Sequence, residues 1–109
     1  MTQNSNVLDH LYSVIQNRKG DNPETSYTAD LLSQGMPKIA QKVGEEAVEV
    51  ITAALVENEN KVIKESADLL YHLLVLWAQK GVTPGNVWNE LRRREGVSGV
   101  LEKTSRQKD

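Results

Sequence analysis

From Leu69 to Ala78 the chain reads LLYHLLVLWA, apolar at almost every position. Wound as an α-helix, such a run is hydrophobic all round and needs cover on every side. In a chain of 109 residues that cover is expected from a small helical bundle and from a second copy of the chain, because short domains gain much from association. The run is too short to span a bilayer, and His72 interrupts it.

The rest of the chain has helical periodicity. Val7, Leu8, Leu11, Val14 and Ile15 predict a helix from Asn6 to about Asn17. Arg18 to Pro23 reads as a loop. Thr25 or Ser26 can cap a short helix over Tyr27–Gln34, closed by Gly35. Pro37 suits the first turn of a long helix from about Met36 to Asn58. A polar turn over Asn58–Asn60 follows, with Asn60 as cap of a helix running to about Lys80 and ended by Gly81. Thr83 and Pro84 open a last helix ending near Gly96. No alternating pattern predicts a strand. The expected fold is all-α, an antiparallel bundle of four main helices and a short one, with a core completed by dimerisation. One domain is expected over 1–109, with 1–5 and about 104–109 flexible.

Carboxylates precede the apolar run. Glu45, Glu46 and Glu49 lie in GEEAVEV, and Glu65 and Asp68 in ESADLLYH. Residues three or four apart share a helix face, so Glu46 pairs with Glu49 and Glu65 with Asp68. With about 100° per residue and Ile39 as zero, Val43 and Val50 fall within about 40° and Glu46 about 20° to the other side. Glu49 lies about 80° and Glu45 about 120° away. Glu46 therefore occupies the apolar stripe, where a lone charge is costly unless paired or bound to a metal. If the two helices pack antiparallel, the carboxylates converge. Oxygen-only ligands at this density favour Mg²⁺, with Mn²⁺ as an alternative, and point to phosphate chemistry. The competing reading pairs Glu45 and Glu46 with Lys42 or Lys38 on a solvated face. His72 is expected to be a hydrogen-bonded histidine inside the bundle, and His10 to be structural or on the surface.

A polyphosphate also needs cations or backbone donors. Lys38 and Lys42 lie one turn apart on the glutamate side of the long helix. Arg18 and Lys19 follow the first helix, and Ser26, Tyr27 and Thr28 lead into a helix N-terminus. Lys42, beside the carboxylates, is the strongest of these. The run Arg92, Arg93, Arg94 is accounted for by helix C-terminal charge.

A net charge of −2 argues against nucleic acid as a partner, since it creates no field attracting a polyanion. The absence of cysteine excludes disulfides, thiolate metal sites and cysteine nucleophiles. MTQNSNVLDH has no signal-peptide pattern, so a cytoplasmic protein is expected.

The two-part pattern Glu-Glu-x-x-Glu then Glu-x-x-Asp resembles the signature of the all-α, MazG-like nucleoside triphosphate pyrophosphatases. LDHLYSVIQNRK at 8–19, SYTADLL at 26–32, KIAQKVGEEAVEV at 38–50, ESADLLYHLLVL at 65–76 and SGVLEKTSR at 98–106 resemble one branch, the phosphoribosyl-ATP pyrophosphatases of histidine biosynthesis. The resemblance spans nearly the whole chain. It implies Mg²⁺-dependent hydrolysis of the bond between the α- and β-phosphates of phosphoribosyl-ATP. It assigns Glu46, Glu49, Glu65 and Asp68 as metal ligands, and Glu45 as a further ligand or the group orienting the attacking water. It implies that Lys42, with Lys38, Arg18, Lys19 and Tyr27, holds substrate. The alternative is a housekeeping pyrophosphatase for non-canonical or deoxynucleotides, using the same carboxylates.

Overall fold

The computed structural model describes residues 6–96. The expectations for both termini, including the segment at 98–106, lie outside the described residues. Five helices follow one another: α1 (Asn6–Asn17), α2 (Tyr27–Gln34), α3 (Met36–Val56), α4 (Glu59–Lys80) and α5 (Pro84–Glu95). Among the described residues there is no strand, and no helix is long and apolar enough to cross a membrane. The all-α bundle expected from the periodicity is the observed fold.

The helix ends follow from local chemistry. Ser26, with extended backbone, accepts a hydrogen bond from the Ala29 amide at 3.1 Å and so caps α2. Gly35 ends α2 with φ of +88°, a conformation that any Cβ would strain, and Pro37 sits in the first turn of α3. Thr83 and Asn86 satisfy each other's backbone amides in a reciprocal cap at the start of α5. One boundary differs from expectation. The long helix stops at Val56, and the cap of α4 is Asn58, not Asn60. Asn58 is extended, and its side-chain oxygen accepts the Lys61 amide at 3.0 Å. Asn60 falls inside the first turn, where a cap has no orphan amide to reach.

A short turn at Glu57 and Asn58 returns α4 along α3, and these two helices form the main packing unit. The α1 helix lies against α4, α2 against α3 and α4, and α5 against α1. The core joins Tyr12 and Ile15 of α1, Leu31 of α2, Ile39 of α3, and Leu74 and Val75 of α4. Each of the larger aliphatic side chains there contributes about 1.5–3 kcal/mol by leaving water. Tyr12 donates its hydroxyl proton to the Val82 carbonyl at 2.7 Å, tying α1 to the turn after α4. Trp88 of α5 donates to Asp9 at 3.3 Å and packs edge-on against Trp77. The arginine run is held locally: Arg93 and Arg94 meet Glu90, and Arg92 meets Asn89.

This core fills one end of the α3–α4 hairpin. Toward the other end, Leu55, Val56 and Ile63 are exposed. On α3 the residues buried in the chain are Ile39, Glu46 and Ala53, each seven after the last. Glu46 thus holds a core position between two apolar ones, as its place on the stripe predicted.

Candidate metal centre

The hairpin turns the two acidic segments into one cluster. Glu46 and Glu49 of α3 and Glu65 of α4 each offer an oxygen, and the three lie within 4.8 Å of one another. Glu46 is only 8% exposed. Lys42 approaches Glu46 Oε1 at 3.7 Å, and Lys61 approaches Glu65 Oε1 at 3.8 Å. The other oxygens, Glu46 Oε2 and Glu65 Oε2, are buried without a hydrogen-bond partner. A buried carboxylate oxygen left unpaired is expensive. A hard cation between the helices would satisfy both oxygens at once, so this donor set fits Mg²⁺ or Mn²⁺.

The electrostatics agree. The adjacent Glu49 carboxyl, through hydrogen-bond-range contact, raises the Glu65 pKa most, followed by burial; the Asp68 charge adds to the rise and Lys61 opposes it. The chain has thus crowded negative charge to a degree that favours a proton or a cation.

Asp68 lies one turn beyond Glu65, with an exposed side chain that is not among the three mutually close oxygens. Glu45 faces outward. Gln41 donates to its Oε2 at 2.9 Å and Lys42 stands 3.5 Å from its Oε1. The Gln41 hydrogen bond, then Lys42 and Lys38, hold the Glu45 carboxyl below the ordinary range against some burial. Lys42 therefore bridges two glutamates on its own helix, as the solvated-face reading expected, but one of the two is buried.

The chain matches the sequence profile of a family described as phosphoribosyl-ATP pyrophosphohydrolase over residues 8–95. The chain belongs to the phosphoribosyl-ATP pyrophosphohydrolase family. It is 58% identical over 108 residues to the phosphoribosyl-ATP pyrophosphatase of Paramagnetospirillum magneticum, covering 99% of each chain. To that of Azospirillum brasilense it is 57% identical, covering 92% of this chain and 90% of the relative. To that of Rhodospirillum rubrum it is 58% identical, covering 94% and 87%.

Within this phosphoribosyl-ATP pyrophosphohydrolase fold the other expected cations are spread out. Lys38 lies one turn before Lys42 and acts on Glu45. Arg18 pairs with Asp21 at 3.8 Å, and Lys19 lines a different cleft beside Pro23 and Leu32. Tyr27 starts α2 and donates or accepts at His72 Nε2 over 2.8 Å. Three residues that sequence reasoning passed over, Thr52, Glu57 and Lys61, line a cleft of about 290 Å³ together with Glu49 and Glu65. For Lys61 a signal existed: it precedes Glu65 by one helical turn, a spacing that supports an ion pair.

Proposed function

We propose that this chain hydrolyses the bond between the α- and β-phosphates of phosphoribosyl-ATP, releasing phosphoribosyl-AMP and pyrophosphate, the second step of histidine biosynthesis. Its family and the printed names of its relatives support the substrate. The observation that carries the metal dependence is the pair of unpartnered buried oxygens on facing helices. Glu46, Glu49 and Glu65, with Asp68 at the rim, would hold Mg²⁺, or Mn²⁺ in its place. When bound, such an ion polarises phosphoryl oxygens, lowers the pKa of water and offsets the charge of departing pyrophosphate.

The protein's own groups do the rest. Glu45 remains charged near neutrality and accepts a hydrogen bond from the attacking water. Lys42, beside Glu45 and Glu46, and Lys61, beside Glu65, place cations on both sides of the cluster for phosphate oxygens. Lys38, Arg18, Lys19 and Tyr27 contact the more distant parts of the substrate.

A second copy of the chain completes the fold in this reading. Val48, Ile51 and Leu55 form an exposed apolar row on α3 at helical spacing, and Ile63 and Leu70 do so on α4. Large exposed apolar patches mark association sites. The enzyme would work as a cytoplasmic homodimer built from one domain per chain.

The deciding experiment is pyrophosphate release with Mg²⁺, comparing phosphoribosyl-ATP with ATP and a panel of deoxynucleoside triphosphates. Strong preference for phosphoribosyl-ATP, lost in Glu49→Gln, is expected. Preference for a deoxynucleotide would move the chain to housekeeping chemistry on the same carboxylates, and no turnover of any of them would end the enzymatic reading.

A further inference from the structure

One face of α4 carries Lys61, Glu65, Asp68 and His72, spaced four, three and four residues apart. At about 100° and about 1.5 Å per residue they share one stripe roughly 16 Å long. The two carboxylates occupy its middle. Its two ends differ in chemistry.

At the end nearer the α3–α4 turn lies the cleft of about 290 Å³ lined by Glu49, Thr52, Glu57, Lys61 and Glu65. Glu49 and Glu65 belong to the donor set of the candidate metal centre. Lys61 holds its ammonium 3.8 Å from Glu65 Oε1, with about half of its side chain exposed. Thr52 is exposed and adds a hydroxyl. No aromatic ring and no wholly aliphatic side chain lines this cleft, so it offers no face to a nucleobase. A cation and a hydroxyl beside a metal donor set suit the oxygens of a small polyanion. Glu57, at the turn, bounds the cleft with a like charge, which favours a short anion over a long one.

The opposite end presents a ring. His72 is buried, with Nδ1 2.8 Å from the Asp68 backbone carbonyl and Nε2 2.8 Å from the Tyr27 hydroxyl. A carbonyl only accepts, so Nδ1 carries the proton. In the neutral imidazole Nε2 is then an acceptor, and Tyr27 donates to it. The two rings also meet edge-on, with centroids 5.7 Å apart. One imidazole therefore separates the Tyr27 hydroxyl from the backbone of Asp68, on the side of the carboxylates away from the cleft. Tyr27 is 52% exposed. Its hydroxyl is committed inward, so what it offers a ligand is its ring. A held, half-exposed aromatic ring suits a flat base, because stacking needs a face and no donor.

We infer that the substrate lies in one direction along this stripe: its β- and γ-phosphates occupy the Thr52–Lys61 cleft, and its purine stacks on Tyr27, with His72 as the positioning residue that holds that ring. This rests on the proposed hydrolysis of phosphoribosyl-ATP at the carboxylates. Hydrolysis then leaves pyrophosphate toward the α3–α4 turn and the nucleotide toward α2. Lys42, one turn from Glu46 on the side away from the turn, falls on the nucleotide side.

Binding of each half tests the direction without turnover. Calorimetry would titrate pyrophosphate with Mg²⁺, and separately AMP with Mg²⁺, into the wild type and variants. Lys61→Met should weaken pyrophosphate about tenfold and Thr52→Val about threefold, with AMP affinity kept. Tyr27→Leu should weaken AMP about tenfold and leave pyrophosphate unchanged. Tyr27→Phe, which keeps the ring, should bind AMP within about threefold of the wild type. His72→Leu should weaken AMP as Tyr27→Leu does. His72→Gln, with an amide oxygen for the Tyr27 hydroxyl, should recover most of that loss, and intact pyrophosphate binding shows that both His72 variants fold. Imidazole ¹⁵N spectra should show a proton on Nδ1 and an Nε2 resonance that moves with AMP and stays with pyrophosphate. The opposite pattern of losses, equal losses of both ligands in Lys61→Met and Tyr27→Leu, Tyr27→Phe as weak as Tyr27→Leu, or a wild type that binds neither ligand would overturn the inference. Failure to hydrolyse phosphoribosyl-ATP, with the two-ligand pattern intact, would instead remove the assigned substrate and leave the direction standing for another nucleoside triphosphate.

Discussion

Glu46 on α3 and Glu65 on α4 are arranged alike: each turns one oxygen toward a lysine one helical turn earlier and buries the other without a partner. Two such oxygens, on helices that pack together and near a third carboxylate, make the cluster unfavourable to the apoprotein and favourable to a cation. The consequences can be measured as stability.

Replacing Glu46 with Gln removes a buried charge while keeping shape and hydrogen-bonding capacity. Apo Glu46→Gln should melt at or above the wild-type temperature, and it should lose both turnover and the Mg²⁺-induced rise in Tm. For the wild type the accompanying gain in stability should reach about 2.7 kcal/mol when Mg²⁺ is at a hundred times its Kd. Calorimetry with and without Mg²⁺ checks this, and a variant that unfolds would mark Glu46 as structural instead.

The pH dependence has a definite sign. The Glu65 pKa is raised in the folded protein, chiefly by the Glu49 carboxyl and then by burial. The folded state therefore holds this proton more tightly than the unfolded chain does. The resulting stabilisation is present below the ordinary glutamate pKa and is lost as pH rises through the folded value. Mg²⁺ must displace that proton, so its stabilising effect should grow over the same rise in pH. Tm against pH, with and without Mg²⁺, should diverge on going from acid toward neutrality; parallel curves would contradict the assignment of Glu65 as a ligand.

The exposed row on α3 makes association testable. Changing Ile51 and Leu55, both more than half exposed in the single chain, to Glu should convert a dimer to monomer in sedimentation equilibrium while helical circular dichroism persists. A wild-type chain that already sediments as a monomer would leave the row without a partner copy.

Tyr12 and Val82 lie far apart in sequence and are joined by a single hydrogen bond of 2.7 Å. Tyr12→Phe should cost about 1 kcal/mol in denaturant unfolding, with more if the Val82 carbonyl is left dry. Leu74→Ala, in the middle of the core, should cost about 2–5 kcal/mol. Similar costs for the two would mean that the turn after α4 is held mainly by that one bond.

Much of this protein is legible one helical turn at a time. Ser26, Pro37, Gly81 and Thr83 mark helix ends through interactions within a few residues. The place of Glu46 on the apolar stripe follows from its spacing to Ile39, Val43 and Val50. Such features depend on 3.6 residues per turn and on local hydrogen bonds, which the order of residues contains directly. Even here the sequence pointed to Asn60 as the cap of α4, and the structure uses Asn58, whose extended backbone lets its side-chain oxygen accept the Lys61 amide.

What only the tertiary structure decided is register between helices. The way α4 seats on α3 determines that Glu65 meets Glu46 and Glu49 while Asp68 stays exposed one turn away. It also determines that Lys61 closes one side of the cluster, and that His72 finds its hydroxyl partner in Tyr27, 45 residues earlier. Side-chain packing across an interface sets that register, and no local pattern in either helix encodes where along its partner it will rest.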